Sequence, residues 1–227
     1  MTEYKNMAIC DLRNVTLESA AEIESITNIA VLVYPKNPSP ELSAALTKIP
    51  VKNVAATIYL EKDAPIAQRN GSCEISAKDF SSGGLVICNG TAAIHKIAPE
   101  TEGSIMCNGS AIFHKSLRND CKINMLALNG IQSYADFEEV RQYESKIVVD
   151  KDMLELMEEK MLILSEGKII FAPDVSMELL KEKKPFFFSK EKIVCNNEIS
   201  AYIKLNSMAE GGVKVRDMQE WDEEDDD

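Results

Sequence analysis

Two histidines, the only ones in the chain, are the residues best suited to chemistry. His95 and His114 lie at matching positions of two similar segments, and each follows a cysteine, Cys88 or Cys107, by seven residues. Imidazole and thiolate groups are ligands that zinc prefers in proteins. If the two segments stack on each other, the sequence permits a metal site through His95 and His114, with the cysteines as further ligands.

The odd spacing between cysteine and histidine argues against a shared metal site. Side chains alternate between the two faces of a strand, so an inward Cys88 places His95, which follows a corner of the chain, on the outer face. Cys88 and Cys107 are then two small buried side chains with free thiols. We therefore predict an outward pair of histidines with no bound metal.

A lysine follows each histidine, and Lys96 and Lys115 extend the pair into a short basic ladder. This outward face of His95, Lys96, His114 and Lys115 is a candidate surface for an acidic protein partner. Ordinary solvated surface charge is the alternative.

Sequence signatures of catalysis are missing from the chain. It contains no GxxxxGK[ST], GxGxxG, GxSxG or HExxH segment. Between Gly83 and Gly130 the acidic residues are Glu100, Glu102 and Asp120, all in loop-like stretches, which does not suggest a pair of glycosidase carboxylates. We expect a protein that is not an enzyme and needs no cofactor.

The elements that position these residues follow a repeated Asn-Gly dipeptide. It begins at Asn70, Asn89, Asn108 and Asn129, in steps of 19, 19 and 21 residues. A fixed period of this size is typical of a solenoid, in which each coil buries its apolar face against the next coil. Equivalent apolar residues should then stack into inward ladders. One such ladder is predicted three residues before each Asn, at Ala67, Val86, Ile105 and Leu126.

A helix-bearing repeat is predicted near the N-terminus. A shift of 25 residues aligns Asn28 with Asn53, and the apolar spacing predicts helices over 17–26 and 41–49, each followed by a strand. Strand, helix and returning strand imply parallel pairing through right-handed crossovers.

A second helix-bearing repeat is predicted in the last third of the chain. A shift of 24 residues aligns Ser165 with Ser189, and helices are predicted over 152–160 and 175–183. A further strand is predicted over 201–205.

Together these patterns predict a single solenoid domain over 1–216, mainly β with some α. Its coils, of about 19–25 residues each, are expected to resemble those of a right-handed parallel β-helix. Helix-bearing repeats form its two ends (1–65 and 147–216) and all-strand Asn-Gly coils form its middle (66–146). Residues 217–227 are predicted to be a disordered acidic tail.

Charge is concentrated in that tail. Residues 217–227 hold eight acidic groups and no basic one, so of a net charge of −12 the other 216 residues carry only −4. A body so close to neutral does not match the basic surface that nucleic acid requires. The tail is expected to act as a solubilising end, and docking through Trp221 is the alternative.

The compartment is predicted from what the sequence lacks. No stretch approaches the roughly 18 apolar residues of a membrane span, and residues 1–12 lack the basic start and apolar run of a signal peptide. The six cysteines form no CxxC pair and are too dilute for a disulfide framework. We expect a cytoplasmic protein that does not bind membranes.

In outline the chain is similar to right-handed parallel β-helix proteins and, more loosely, to polymer-forming bacterial β-solenoids of the bactofilin type. The likeness is architectural and implies no activity. We therefore expect a non-catalytic scaffold that binds a protein partner or assembles with copies of itself into a homo-oligomer. A carbohydrate-active or carbohydrate-binding β-helix protein, and a metal-binding module through His95 and His114, are the alternatives.

Overall fold

Parallel β-strands dominate the computed structural model, which describes residues 1–119 and 121–216. Within these residues, nineteen strands form five sheets, and the strand pairs in every sheet are parallel. Strand pairing groups the sheets into three stacks of coils, which we call the N-terminal, central and C-terminal stacks. This strand-rich parallel architecture with few helices is compatible with a β-solenoid-like repeat fold.

The elements of each stack follow one another along the chain. The N-terminal stack contains β1 (Thr2–Asp11), α1 (Leu17–Ala21), β2 (Ile23–Pro35), α2 (Pro40–Leu46) and β3 (Val51–Leu60). The central stack contains β4 (Ile66–Asn70), β5 (Cys73–Ile75), a 3-10 segment (Ala77–Gly83), β6 (Leu85–Asn89), β7 (Ala92–Ile94), β8 (Gly103–Cys107), β9 (Ala111–His114), a 3-10 turn (Lys115–Leu117), β10 (Ile123–Leu128) and β11 (Gln132–Ala135). The C-terminal stack contains β12 (Glu139–Tyr143), β13 (Ile147–Val149), α3 (Lys151–Leu156), β14 (Met161–Ser165), β15 (Ile169–Phe171), α4 (Met177–Lys183), β16 (Phe186–Ser189), β17 (Ile193–Cys195), α5 (Ser200–Leu205), β18 (Ser207–Ala209) and β19 (Val213–Val215).

The order of the strands in the sheets separates the coils into the three stacks. The N-terminal sheet runs β1-β2-β3, the central sheets run β4-β6-β8-β10 and β5-β7-β9-β11, and the C-terminal sheets run β12-β14-β16-β18 and β13-β15-β17-β19. In the described sheets β3 does not pair with β4, and β11 does not pair with β12, so the ladder is not the unbroken one that the repeats suggested. Because β12 pairs with β14, residues 139–143 join the C-terminal stack and not the middle coils. That residues 1–216 form a single domain stays a prediction.

Asparagine corners organise the N-terminal stack. Asn6, Asn28 and Asn53 have φ values of 56°, 56° and 53°, a left-handed conformation that Asn tolerates better than most residues. The Asn28 amide donates to Asn6 (2.9 Å), and the Asn53 amide donates to Asn28 (2.8 Å). The predicted alignment of Asn28 with Asn53 is confirmed, because Thr27 and Ile29 pair with their partners 25 residues on.

Helix α1 is shorter than predicted. The hydroxyl of Thr16 accepts from the Ser19 N–H, and Ser19 bonds back to the Thr16 N–H, which caps the first turn. The helix ends at Ala21, and Ile23 already begins β2. The prediction of a helix over 17–26 is therefore wrong in extent, since Ile23 and Ile26 are buried strand residues of the stack core.

Asn-Gly corners organise the central stack as predicted. Val86 pairs with Ile105 and Cys88 with Cys107, so equivalent residues of neighbouring coils lie directly beside each other in the sheet. Gly90 and Gly109 have φ values of 152° and 153°, and a Cβ on Gly109 would lie 2.1 Å from the Gly90 carbonyl oxygen. Glycine is required there because successive corners stack backbone against backbone.

The last coil departs from the predicted ladder. Met125, not Leu126, pairs with Ile105, and the register shifts between Met125 and Ala127. Leu126 is therefore the extra residue of a β-bulge and joins the outer face of its sheet. The inserted residue explains part of the longer step before Asn129.

The C-terminal repeat is confirmed where it was predicted from the 24-residue shift. Ser165 pairs with Ser189, and Ile169 pairs with Ile193. The strand predicted over 201–205 is wrong: this stretch is α5, whose Ile203 is buried four residues after the buried Ile199. That i, i+4 spacing of buried residues is helical.

Two clusters of buried apolar residues join the stacks through outer faces of their sheets. The first joins the N-terminal and central stacks through Val31, Val33, Ile58, Leu60, Ala64, Leu85 and Ile87. The second joins the central and C-terminal stacks through Ala93, Ile112, Ala135, Phe137, Leu162, Leu164 and Phe188. Strands at these contacts are apolar on both faces because each buries one face in its own coil and the other against the neighbouring stack.

Candidate functional site

The predicted histidine and lysine ladder lies at the ends of β7 and β9, beside the segment that leads from β11 to β12. Phe137 of that segment is 1% exposed, and its ring centroid lies 5.2 Å from that of His95 and 5.7 Å from that of His114. The central stack therefore positions the ladder, and the entry to the C-terminal stack covers its two histidines.

His95 was predicted to point out of its coil toward a partner surface, but it is buried in the molecule. It is 1% exposed, and its Nε2 lies 2.7 Å from Glu74 Oε1. Alternation along a strand distinguishes the inside of a coil from its outside. The alternation does not show whether another part of the chain packs against the outside. Here Phe137 packs against His95 and buries it.

Lys96 and Lys115 keep exposed side chains but already have partners within the chain. Lys96 Nζ donates to Glu139 Oε1 (3.1 Å), and Lys115 Nζ donates to Asp136 Oδ2. Ion pairs as exposed as that of Lys96 contribute roughly 0–1 kcal/mol, so an acidic peptide could displace them at little cost. That His95, Lys96, His114 and Lys115 form an interaction face stays a prediction, in which the exposed lysines and not the buried His95 would contact a partner.

His114 holds a fixed ring with one unsatisfied nitrogen. Its Nδ1 lies 2.7 Å from Ser116 Oγ and 3.2 Å from the Ser116 backbone nitrogen, an arrangement that caps the 3-10 turn at Lys115–Leu117. Its Nε2 is buried without a hydrogen-bond partner and lies 3.6 Å from Asp136 Oδ1. This distance is too long for a hydrogen bond.

Asp136 is a member of the site that the sequence did not reveal. Its Oδ2 accepts from Lys115 and lies 3.3 Å from Lys160 Nζ. Burial favours the neutral acid, but the hydrogen bonds from Lys115 and Lys160 outweigh it and hold the pKa of Asp136 below its ordinary value. The only available signal was its place directly after β11, in the i, i+2 pattern that it forms with Glu138.

Ser116, His114 and Asp136 are the residue types of a nucleophile, base and acid. Their geometry is instead that of a helix cap, in which His114 caps the 3-10 turn. A base that activates serine must have its nitrogen free for the hydroxyl proton. Nδ1 of His114 is shared with the Ser116 N–H, and Nε2 is not bonded to Asp136. The arrangement therefore gives no support to a serine nucleophile.

Three cysteines, and not two, line up in the core of the central stack. Cys73 Sγ lies 3.4 Å from Cys88 Sγ, and Cys107 Sγ lies 3.4 Å from the Ser110 carbonyl oxygen. All three are at most 8% exposed and have free thiols, which confirms the predicted burial of Cys88 and Cys107. The hydrogen bond with Cys107, together with burial, raises the pKa of Cys88 to about 12, so its thiol is unreactive at neutral pH.

The last coil of the central stack forms a different kind of candidate site. We call residues 123–135, which comprise β10, β11 and the corner between them, the open coil. In the coil beneath, Ile105 and Phe113 are at most 4% exposed, whereas their partners Met125 and Tyr134 are only partly buried. Ile131, in the corner, is 42% exposed.

The open coil carries no charge over its 13 residues. β10 and β11 are the edge strands of their sheets, each with one paired neighbour in the described part of the chain. Edge strands usually carry charged residues that discourage pairing with another chain. The other edges mostly follow this rule, with Lys5 in β1, Lys52 in β3 and Arg141 in β12.

The opposite edge of the same sheet is covered. With its side-chain amide oriented to satisfy both contacts, Gln142 donates to the Ser72 carbonyl oxygen (2.7 Å) and accepts from the Glu74 N–H (3.2 Å). These backbone groups belong to the edge of the first coil, beside β5. The C-terminal stack therefore occupies, with a side chain, the position that another strand would take.

Comparison of the chain with protein-family models, with curated proteins and with solved structures gives no match. Of the helices among residues 1–119 and 121–216, none is long and apolar enough to cross a membrane. The cytoplasmic location stays a prediction. Trp221 and the acidic tail lie outside the described residues.

Proposed function

We propose that the protein is a non-catalytic, right-handed β-solenoid that self-associates through the open coil. The single observation that carries this function is an uncharged edge of 13 residues whose inward side chains are only partly buried. The right-handed coil sense is part of the proposal, because parallel strands joined by crossovers are right-handed in nearly all proteins.

A second copy of this chain is the occupant that best fits the open coil. Inside the central stack, the same ladder of residues is covered by a coil of similar sequence, with Phe113 over Ile94 and Ile105 over Val86. The surface complementary to the open coil is therefore another coil of this type. Pairing of β10 with β10 of a second copy would also bond the free N–H and C=O groups of the edge.

The lack of charge favours a symmetric pair. In a two-fold dimer each residue near the axis meets its own copy, so any charged residue there would repel itself. Two copies of a chain with a net charge of −12 repel each other, which favours contact at an uncharged segment. A different acidic or basic partner would instead be selected by opposite charge, which the open coil does not offer.

The covered first coil favours a closed dimer over a filament. Head-to-tail growth would place the open coil of one copy against the first coil of the next, as in a heterologous contact. That contact would have to displace Gln142 from Ser72 and Glu74. Two open coils can pair without any such displacement.

A charge placed on the open coil tests the proposal. Gln132 is exposed at the start of β11, and Gln68 is exposed in β4, on the opposite terminal coil of the same stack. We expect the wild-type chain and Gln68→Lys to pass from monomer to dimer between about 1 and 100 µM by light scattering and sedimentation velocity. Gln132→Lys should remain a monomer, because two like charges would then face each other.

Three results would contradict the proposal. If the wild-type chain stays a monomer throughout this range, with an unchanged circular dichroism spectrum, the protein does not self-associate as proposed. Dissociation by Gln68→Lys as strongly as by Gln132→Lys would show a head-to-tail contact. Dimers of undiminished strength in Gln132→Lys would place the contact elsewhere.

The carbohydrate-active alternative is less well supported by the described carboxylates. A glycosidase acid must stay protonated near neutral pH, so its pKa must be raised. Burial opposes ionisation of Asp136 and Glu166, but lysine hydrogen bonds lower the pKa of both carboxyls. Neither residue is therefore suited to be the acid.

A further inference from the structure

A second surface of the molecule brings together three side chains that ligate metals. His114, Asp136 and Glu138 each offer one donor atom, and these atoms lie within 4.8 Å of one another. His114 comes from the end of β9, and the two carboxylates come from the segment between β11 and β12. The site thus spans the junction of the central and C-terminal stacks and is separate from the open coil.

The buried histidine nitrogen is the group that points to a ligand. Nε2 of His114 is buried, has no hydrogen-bond partner and faces Asp136 Oδ1 at 3.6 Å. A buried polar atom without a partner costs free energy, which a bound ion would recover.

The surrounding contacts hold the ligands as an outer shell does in metal sites. Metal binding at Nε2 requires the tautomer in which Nδ1 carries the proton and donates it to Ser116 Oγ, 2.7 Å away, in place of the contact that Nδ1 accepts from the Ser116 N–H at 3.2 Å. The lysines contact Oδ2 of Asp136 and leave Oδ1 facing His114. The Glu138 N–H donates to the Lys160 carbonyl oxygen (2.9 Å), which fixes the backbone of the third ligand.

We propose that His114 Nε2, Asp136 Oδ1 and the Glu138 carboxylate bind one divalent transition-metal ion of the zinc class. One imidazole and two carboxylates suit zinc, and a fourth position is left for water. Zinc requires ligand distances near 2.0–2.2 Å, so the donor atoms must converge further, and the exposed Glu138 side chain is free to rotate inward. Calcium, which takes six to eight oxygen ligands, is not expected to bind.

The ligand set differs from the one that the sequence suggested. His95 and His114 were the predicted candidates for a shared metal, but His95 Nε2 is engaged by Glu74 at 2.7 Å. His95 is outside the group of converging donors in the described residues. The proposed site keeps one of the two histidines and replaces the other with carboxylates from the next segment.

Zinc titration of the full chain tests this site. After treatment with a chelator and dialysis, we expect calorimetry to show one Zn²⁺ bound per chain and no Ca²⁺ binding. Glu138→Gln should weaken zinc binding at least tenfold, whereas Glu100→Gln, a change at an exposed glutamate in another loop, should leave it unchanged. His114→Gln should weaken it similarly, and Glu138→Gln keeps the test valid if the histidine variant does not fold.

The results of these experiments distinguish zinc bound at the proposed site from zinc bound by cysteine thiols. Absence of stoichiometric zinc binding would overturn the proposal. Binding of equal strength in Glu138→Gln and wild type would also overturn it, because the ion would then be held elsewhere, for example by Cys121. With Co²⁺ as the probe, a visible absorption band that is altered by Glu138→Gln and not by Glu100→Gln is the expected spectroscopic result.

Discussion

Replacement of Phe137 by alanine should destabilise the protein more than an ordinary core mutation. The side chain is 1% exposed and lies in the cluster between the central and C-terminal stacks, not inside either coil. Removal of a buried Phe costs about 3–5 kcal/mol. Its ring also meets His95 at 5.2 Å and His114 at 5.7 Å, and each ring pair can add roughly 0.5–1.5 kcal/mol. We therefore expect a loss near the upper end of that range.

Urea denaturation measures this loss directly. With m of roughly 2–3 kcal/mol/M, a loss of about 4–5 kcal/mol lowers the midpoint by about 1.3–2.5 M. Leu156→Ala is the control, since that side chain is 85% exposed and its removal should cost less than about 0.5 kcal/mol. A loss below about 1 kcal/mol for Phe137→Ala would refute the packing of the two stacks against each other.

The other stability predictions test individual contacts. His95→Ala should lower the free energy of unfolding by about 2–3 kcal/mol in urea denaturation, because the ring is buried and bonded to Glu74. A loss under about 0.5 kcal/mol would indicate that the side chain is exposed. Gly109→Ala should cost about 2–4 kcal/mol, since its Cβ would lie 2.1 Å from a carbonyl oxygen. At Gly71, where nothing lies within 4 Å and φ is +73°, the same change should cost about 1–2 kcal/mol, and equal costs would contradict the stacked corners. The lowered pKa of Asp136 contributes stability above the unfolded pKa, near 3.8, and this contribution is lost as the pH falls through the lower folded value. Asp136→Asn should therefore lower the melting temperature at pH 7, and this difference from wild type should shrink as the pH is lowered below 3.8; a difference that does not change with pH would contradict this linkage.

The pairing of residues between neighbouring coils was predictable from the sequence, because a shift by one repeat aligns the residues that lie beside each other in the sheet. The pairs Cys88 with Cys107, Ser165 with Ser189, and the corner of Asn28 over Asn53 all follow from fixed shifts. Asn6 was missed because its distance from Asn28 is 22 residues and not 25. The N-terminal ladder was therefore recognised only where its spacing matched the 25-residue shift.

Packing between stacks was not predictable in the same way. A repeat period describes neighbours along one stack, and nothing in it says which outer face meets another stack. The burial of His95 under Phe137, and the closeness of Asp136 to His114, both arise at such a contact. The bulge at Leu126 was missed for a related reason, since a longer step between corners does not show where the extra residue lies.

Hydrogen exchange at two concentrations tests self-association through the open coil most directly. Amides at the free edge of β10 and β11 exchange with solvent in a monomer and are protected when a second strand pairs with them. We predict that peptides covering residues 123–135 exchange more slowly at about 100 µM than at about 1 µM, whereas those covering 66–75 do not change. Equal exchange of residues 123–135 at both concentrations, in a sample shown to be dimeric at the higher one, would contradict the proposed contact.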